Sequence, residues 1–158
     1  MNITELTAPF LSSIKNIFYQ MSSVSVSYDG EFYGENDDIV SYGVSSIITF
    51  SGLFVGRLLI DMEPGLALTI AQNINGDSFA SVKDDMVLAT ISELNNIIAG
   101  DGITQLNNSM KLKLRLAPPI VFAGNNPVIC IPKISSQSIN CTTQYGKLKF
   151  NIAFERSR

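Results

Sequence analysis

VKDDMVLATISELNNIIAG, residues 82–100, reads as one long helix, and the rest of the chain is organised around it. At about 100° per residue, the helical period, Val87, Ile91, Leu94 and Ile98 fall on one side. Ala89, Glu93, Asn96 and Gly100 fall on the other. The first set is an apolar stripe suited to a core. The second carries a carboxylate and a carboxamide three residues apart, framed by the two smallest residue types. Small neighbours leave a flat surface that a second molecule can approach closely. Side chains at i and i+3 are neighbours on a helix, so Glu93 and Asn96 can engage the same visitor. A solvated polar face explains the same residues, and the helix alone leaves both readings open.

The chain has 158 residues, a length that suits one domain with one core, spanning residues 1–158. Hydrophobic residues make up 46% and charged residues 16%, so apolar surface to bury is ample. A net charge of −3, a pI near 4.8 and only short basic clusters near the end (Lys147, Lys149, Arg156, Arg158) argue against nucleic acid as a partner. The apolar runs are far shorter than the roughly 20 residues that span a bilayer, so no membrane is expected. The first residues lack a basic start followed by an apolar stretch, so a signal peptide is not expected and the expected location is cytoplasmic. Cys130 and Cys141 are accordingly expected as free thiols.

Histidine is absent. That removes Ser-His-Asp and Cys-His nucleophile systems and histidine-based metal sites. Any chemistry must run on carboxylates, amides and hydroxyls, or on groups that a partner supplies.

Patterning supplies the other elements. Residues 7–21 read as a first helix, with Thr7 as N-cap, Pro9 in the first turn and Phe10, Ile14, Ile17, Phe18 and Met21 as its core face. Residues 23–28 alternate like a strand. Residues 29–38 read as a loop with a strand fragment around Phe32. Its Glu35, Asp37 and Asp38 lack the pattern of a calcium loop and read as a solvated turn. Residues 44–50 and 53–60 form a hairpin joined at Ser51-Gly52, whose Gly52 and Gly56 suit a turn and a strand crossing better than a phosphate loop. A second helix covers 63–74, with Pro64 in its first turn and Asn75-Gly76-Asp77 ending it. The long helix follows and is expected to stop at Gly100-Asp101-Gly102, with a short helical piece over 102–108. Residues 110–116, MKLKLRL, alternate strictly and read as a strand with Lys111, Lys113 and Arg115 on its open face. Ile120 to Phe122 extends it past Pro118-Pro119. A turn at 124–127, a β-rich run at 128–134 and a last strand at 142–154 complete the chain. Strands follow strands, so the fold class is α+β, a mainly antiparallel sheet packed with three helices.

With these residues in place, the chain resembles the CheX branch of the CheC/CheX/FliY family of chemotaxis phosphatases. The resemblance runs nearly end to end: APFLSSIKNIFYQM, the hairpin ITFSGLFVGRLLI, the helix ending in Asn-Gly, and SELNNIIAG. The family's active helix carries Glu-x-x-Asn, here Glu93-Leu94-Asn95-Asn96, and a proline some two dozen positions on. Pro119 follows Asn96 by 23 positions. A bare Glu-x-x-Asn is a weak motif; the proline, the small-residue ending and the full-length order make it more specific.

The resemblance implies a cytoplasmic homodimer that hydrolyses the phosphoaspartate of a CheY-type receiver domain in two-component signalling. Asn96 would orient the attacking water, and Glu93 would pair with the receiver's lysine. Ala89, Gly100 and Pro119 would belong to the docking surface. No cofactor of its own is implied, since the receiver brings Mg²⁺. One position departs: the family often has Asp or Ser four residues before the glutamate, where this chain has Ala89. That departure sustains the alternative of a non-catalytic receiver-binding or dimerisation module.

Overall fold

The computed structural model describes residues 2–130 and 134–158. Among these, the elements are α1 (Ile3–Ser22), β1 (Ser27–Tyr28), β2 (Tyr33–Gly34), β3 (Ile39–Val40), β4 (Val44–Ser51), β5 (Phe54–Met62), α2 (Pro64–Asn75), α3 (Asp85–Met110), β6 (Arg115–Leu116), β7 (Ile120–Ala123), β8 (Val128–Ile129), β9 (Ser136–Thr143) and β10 (Gly146–Arg156). The main sheet runs β1-β9-β10-β5-β4-β6, with β2 also on β9 and β7 also on β4; β3 and β8 form a separate ribbon. Every pair is antiparallel. This is the expected α+β class with three helices.

The core lies between the helices and one face of the sheet. Phe10, Ile14 and Phe18 of α1 belong to one buried cluster with Ile48 and Phe50 of β4, Leu58 and Ile60 of β5, and Phe150, Ile152 and Phe154 of β10. Phe10, Phe50 and Phe154 form an aromatic cluster with ring centroids 5.1 to 6.0 Å apart.

Helix α1 starts a turn earlier than expected. Asn2 caps it: Asn2 Oδ1 accepts from Glu5 N at 3.0 Å, and the Glu5 carboxylate accepts from Asn2 N at 3.3 Å. Thr7, expected as the cap, is buried inside the helix, and its hydroxyl donates to Ile3 O at 3.0 Å. Helix α2 begins at Pro64 and closes at Gly76 in the left-handed conformation (φ 73°), as expected.

Helix α3 does not stop at Gly100-Asp101-Gly102. It runs 26 residues, from the Asp84 cap to a left-handed Lys111, and the expected short helical piece is its continuation. Ile103 and Leu106 extend the buried stripe, and Gly102 has a packing role in place of a terminating one. A Cβ there would lie 2.6 Å from Phe10 Cδ1, so only glycine lets α1 seat its ring on the α3 backbone.

Three strand expectations change. Of residues 110–116, only Arg115–Leu116 pairs in a sheet. Leu112 and Leu114 are buried and their cationic neighbours exposed, as alternation requires, but Lys111 (φ 56°) and Lys113 (φ 57°) are left-handed. The Asn107 side chain stands in for a strand partner: Leu114 N donates to its Oδ1 at 2.7 Å, and its Nδ2 donates to Leu114 O at 3.0 Å. Of residues 23–28, only Ser27–Tyr28 is paired, although Val24 and Val26 are buried. The expected last strand at 142–154 is the turn and second arm of a hairpin: β9 ends at Thr143, and β10 begins at Gly146. In the run 128–134, Val128–Ile129 is strand, and positions 131–133 lie outside the described residues. Glu35, expected in a solvated turn, bonds Lys149 at 3.4 Å. Both cysteines are free, Cys130 exposed and Cys141 buried, with burial pushing the Cys141 thiol up to about 12.

Behind the sheet, Asp61 of β5 is fully buried. It accepts from Ser41 Oγ and Ser45 Oγ, each at 2.6 Å, and from Tyr42 N at 2.9 Å. Burial raises its pKa despite these bonds, which favour the charge.

This packing sets the stability expected of three variants. Gly102→Ala should lower stability by about 1–3 kcal/mol through overpacking against Phe10. Gly100→Ala, whose Cβ would meet only Leu116 Cδ1 at 3.8 Å, should raise it by up to about 1 kcal/mol through helix propensity. Denaturant titration checks both, and equal effects at the two positions would remove Gly102's packing role. For Asp61, the raised pKa means that the unfolded chain ionises first as pH rises. Its contribution to stability is therefore full below the ordinary carboxylate value near 4 and is lost as pH climbs through the raised one. Asp61→Asn should remove that part of the decline, read from unfolding free energies of both forms across the acidic range; identical pH slopes would refute it.

Candidate functional site

The site face is fixed by what α3 buries. Val87, Ile91, Leu94 and Ile98 are all 0% exposed, as the helical period required. The opposite side then turns outward: Ala89 and Glu93 are exposed, and Asn96 and Gly100 are half-buried. Among the described residues, the side chains of Glu93 and Asn96 have no hydrogen-bond or ion-pair partner within the chain. Both groups are free to bond something else.

Ala89 and Glu93 share the wall of a shallow depression of about 200 Å³, closed by Met21 of α1, Ile74 of α2 and Met86 of α3. Ala89 keeps that wall apolar where a serine or aspartate would add a polar group. Gly100 faces Leu116 of β6, so the structure brings it beside the segment that leads to Pro119. Pro119 is half-buried in the connection from β6 to β7, and both strands pair with β4 and lie against α3. Ala89, Glu93, Asn96 and Gly100 thus share one helix face, and Pro119 stands on the adjoining connection at the sheet edge.

Sequence patterning missed the polar contacts that hold this turn of α3 from behind. Asn95, one residue before Asn96, is fully buried, and its Nδ2 donates to Ser46 Oγ of β4 at 3.0 Å and to Leu58 O of β5 at 3.4 Å. Its Oδ1 has no partner among the described residues, an arrangement that costs about 1–3 kcal/mol for a buried polar atom. Ser13 Oγ of α1 donates to Ile98 O at 3.0 Å, and Asn75 Nδ2 of α2 donates to Thr90 Oγ1 at 2.8 Å. The one signal in the sequence was an amide standing within an apolar stripe.

Electrostatically the face is simple: one carboxylate, one neutral amide, and no group of three or more acidic or cysteine ligands among the described residues that could hold a metal. No helix among them is long and apolar enough to cross a membrane. The arrangement can orient a polar molecule and pair with a cation, and it offers no nucleophile.

The family model described as "Chemotaxis phosphatase CheX" matches residues 44–143, from the start of β4 to the end of β9. No curated protein matches the chain. Solved structures similar to it include a CheC-like superfamily protein from Shewanella sp. PV-4, 27% identical with a TM-score of 0.87 over 98% of this chain and 99% of that one. The chemotaxis protein CheX from Vibrio vulnificus is 27% identical, with a TM-score of 0.86 over 96% and 99%. A structure described as a CheX-CheY-BeF3-Mg²⁺ complex from Borrelia burgdorferi shares the fold at 24% identity, with a TM-score of 0.80 over 96% and 98%.

Because Glu93 and Asn96 bond nothing among the described residues, Glu93→Ala and Asn96→Ala should each leave stability within about 0.5 kcal/mol of the parent in thermal unfolding. A larger loss would mean that these side chains serve the fold.

Proposed function

The chain belongs to the CheX family of chemotaxis phosphatases, and from that premise we propose that it dephosphorylates the phosphoaspartate of a CheY-type receiver domain, acting as a homodimer. The observation that carries this reading is the outward Glu93–Asn96 pair, unengaged among the described residues, on a helix whose other side is fully buried. The Borrelia complex, in which a CheX binds CheY with Mg²⁺ and BeF3, supports a receiver as partner and Mg²⁺ as the receiver's contribution.

The chemistry asks little of this chain. An acyl phosphate is already activated, and the receiver brings the phosphoaspartate, the metal ion and a lysine. Hydrolysis needs a water held in line with the phosphorus. Its oxygen bonds phosphorus as the bond to the aspartyl oxygen breaks. The receiver's carboxylate leaves with the electron pair, and the proton passes to a phosphate oxygen. Positioning and electrostatics supply most of the catalysis in such transfers. Asn96 enters the receiver's site and orients the water, since an amide both donates and accepts. Glu93 pairs with the receiver's lysine and sets the docking register. Ala89, Gly100 and Pro119 provide the surface around them.

A second reading, a receiver-binding module without catalysis, is favoured by Ala89, which leaves the wall beside Glu93 apolar where relatives often carry Asp or Ser. Decay of phosphorylated receiver separates the two readings. With catalysis, the parent protein accelerates decay, and Asn96→Ala slows it about a hundredfold or more while still binding. Glu93→Ala weakens both binding and hydrolysis, by about 2 kcal/mol or more if the ion pair is desolvated. Binding with unchanged decay would establish the module instead.

A further inference from the structure

We propose that Asn95 is a positioning residue. Its buried amide, tied to Ser46 and Leu58 in two neighbouring strands, sets the rotation of α3 and so the direction in which Asn96 leaves the helix. The inference rests on the reading of the Glu93–Asn96 face given above.

Asn95 stands where an apolar residue is called for. Ile91, Leu94, Ile98 and Ala99 around it are all 0% exposed, and so is Asn95. A leucine of similar size would fill the space and remove the orphaned carbonyl, exchanging it for a buried Ser46 hydroxyl without the amide. Apolar packing is satisfied without this amide, so its presence needs a reason other than the core. Direction is such a reason. Apolar contacts attract without preferring an angle, so a stripe of Ile and Leu fixes how closely α3 approaches the sheet better than its rotation. Hydrogen bonds weaken steeply off line. The two acceptors, Ser46 Oγ and Leu58 O, sit on strands whose ladder holds them in register, Ser46 opposite Ile60 and Leu58 opposite Ile48. The amide therefore reads a rigid reference.

Asn96 is the next residue, about 100° round and 1.5 Å along the axis. Any roll of Asn95 passes to it undiminished. The contacts at Thr90 and at Ile98 hold the same turn from α2 and α1. Loss of Asn95 alone therefore loosens the turn without releasing it.

The test uses the full chain with Asn95→Leu and Ser46→Ala. It measures unfolding, the steady-state hydrolysis of phosphorylated receiver, and the NMR resonances of the Asn96 side-chain amide. For Asn95→Leu the expected result is an unfolding midpoint close to the parent's, because the orphaned Asn95 carbonyl is exchanged for an unpartnered Ser46 hydroxyl, with KM within twofold and kcat lower by about tenfold. The Asn96 amide signals should broaden or multiply. Ser46→Ala should show a smaller change of the same kind, and it decides the matter if Asn95→Leu does not fold. The proposal is overturned if both variants keep kcat within twofold of the parent, or if any loss merely tracks lost stability. A parent that hydrolyses no phosphorylated receiver counts against the phosphatase reading alone. The Asn96 amide then decides: signals unchanged in both variants overturn the positioning role.

Discussion

Phe10 resting on the backbone of Gly102 is the contact that sets how closely α1 and α3 can lie, and the rest of the arrangement follows from that closeness. The same ring stacks 6.0 Å from Phe50 of β4 and meets Phe154 of β10 at 5.9 Å. One side chain therefore links two helices and two strands. A methyl group on residue 102 would push the ring toward those neighbours, in a core where side chains have little free volume to absorb the shift. The continuous buried stripe from Val87 through Leu106 then presses α3 along the sheet and dictates which of its faces looks outward. The candidate site is the remainder of that burial: Glu93 and Asn96 point outward because Leu94 and Ile98 point in.

Apolar and polar contacts divide the task. Burial of the stripe supplies most of the attraction and fixes depth, but it is tolerant of small rolls and slides. The polar contacts are few and lie where orientation matters. Ser13, Asn75 and Asn95 reach the α3 turn around Glu93 and Asn96 from α1, from α2 and from within the helix toward β4 and β5. Each ends on an element that is itself well packed. At the other end of α3, the Asn107 amide clamps the irregular segment that leads into β6. That segment carries the chain to Pro119, so the same helix that presents the acid and amide also anchors the connection beside them.

Periodicity made the decisive features legible in the sequence. The inward and outward sets of α3, the β4–β5 hairpin and the bounds of α2 all follow from local signals, a 3.6-residue stripe, a Ser-Gly turn, a proline and a glycine, and tertiary packing agrees with each. The misreadings share one cause: a local signal carried a second meaning that only a distant residue reveals. Gly100 and Gly102 look like a helix end, yet Gly102 answers to Phe10, some ninety positions earlier. MKLKLRL alternates like a strand because Leu112 and Leu114 are buried, but burial of alternate residues does not require a ladder partner, and left-handed Lys111 and Lys113 interrupt the extended backbone that a ladder needs. The cap at Asn2 was readable from the Asn-x-x-Glu spacing; Thr7 offered a competing and equally familiar signal. The weight on Asn95 was hidden because its acceptors lie 37 and 49 positions away.

A chain with no histidine, no candidate metal cluster among its described residues and no activated nucleophile can still promote hydrolysis if the reacting bond is already weak and the other reactants arrive on the partner. What remains is geometry, and geometry has to come from the scaffold. A loop would place an amide with the looseness of its own backbone. A long helix seated on an antiparallel sheet places it with the stiffness of the whole core. On the proposed reading this explains why the acid and the amide stand mid-helix, eight or more residues from either end of α3, on a turn reached by hydrogen bonds from three directions. The two side chains that would act are left unbonded among the described residues. The backbone that carries them is held by the buried stripe beneath it and by the contacts from Ser13, Asn75 and Asn95.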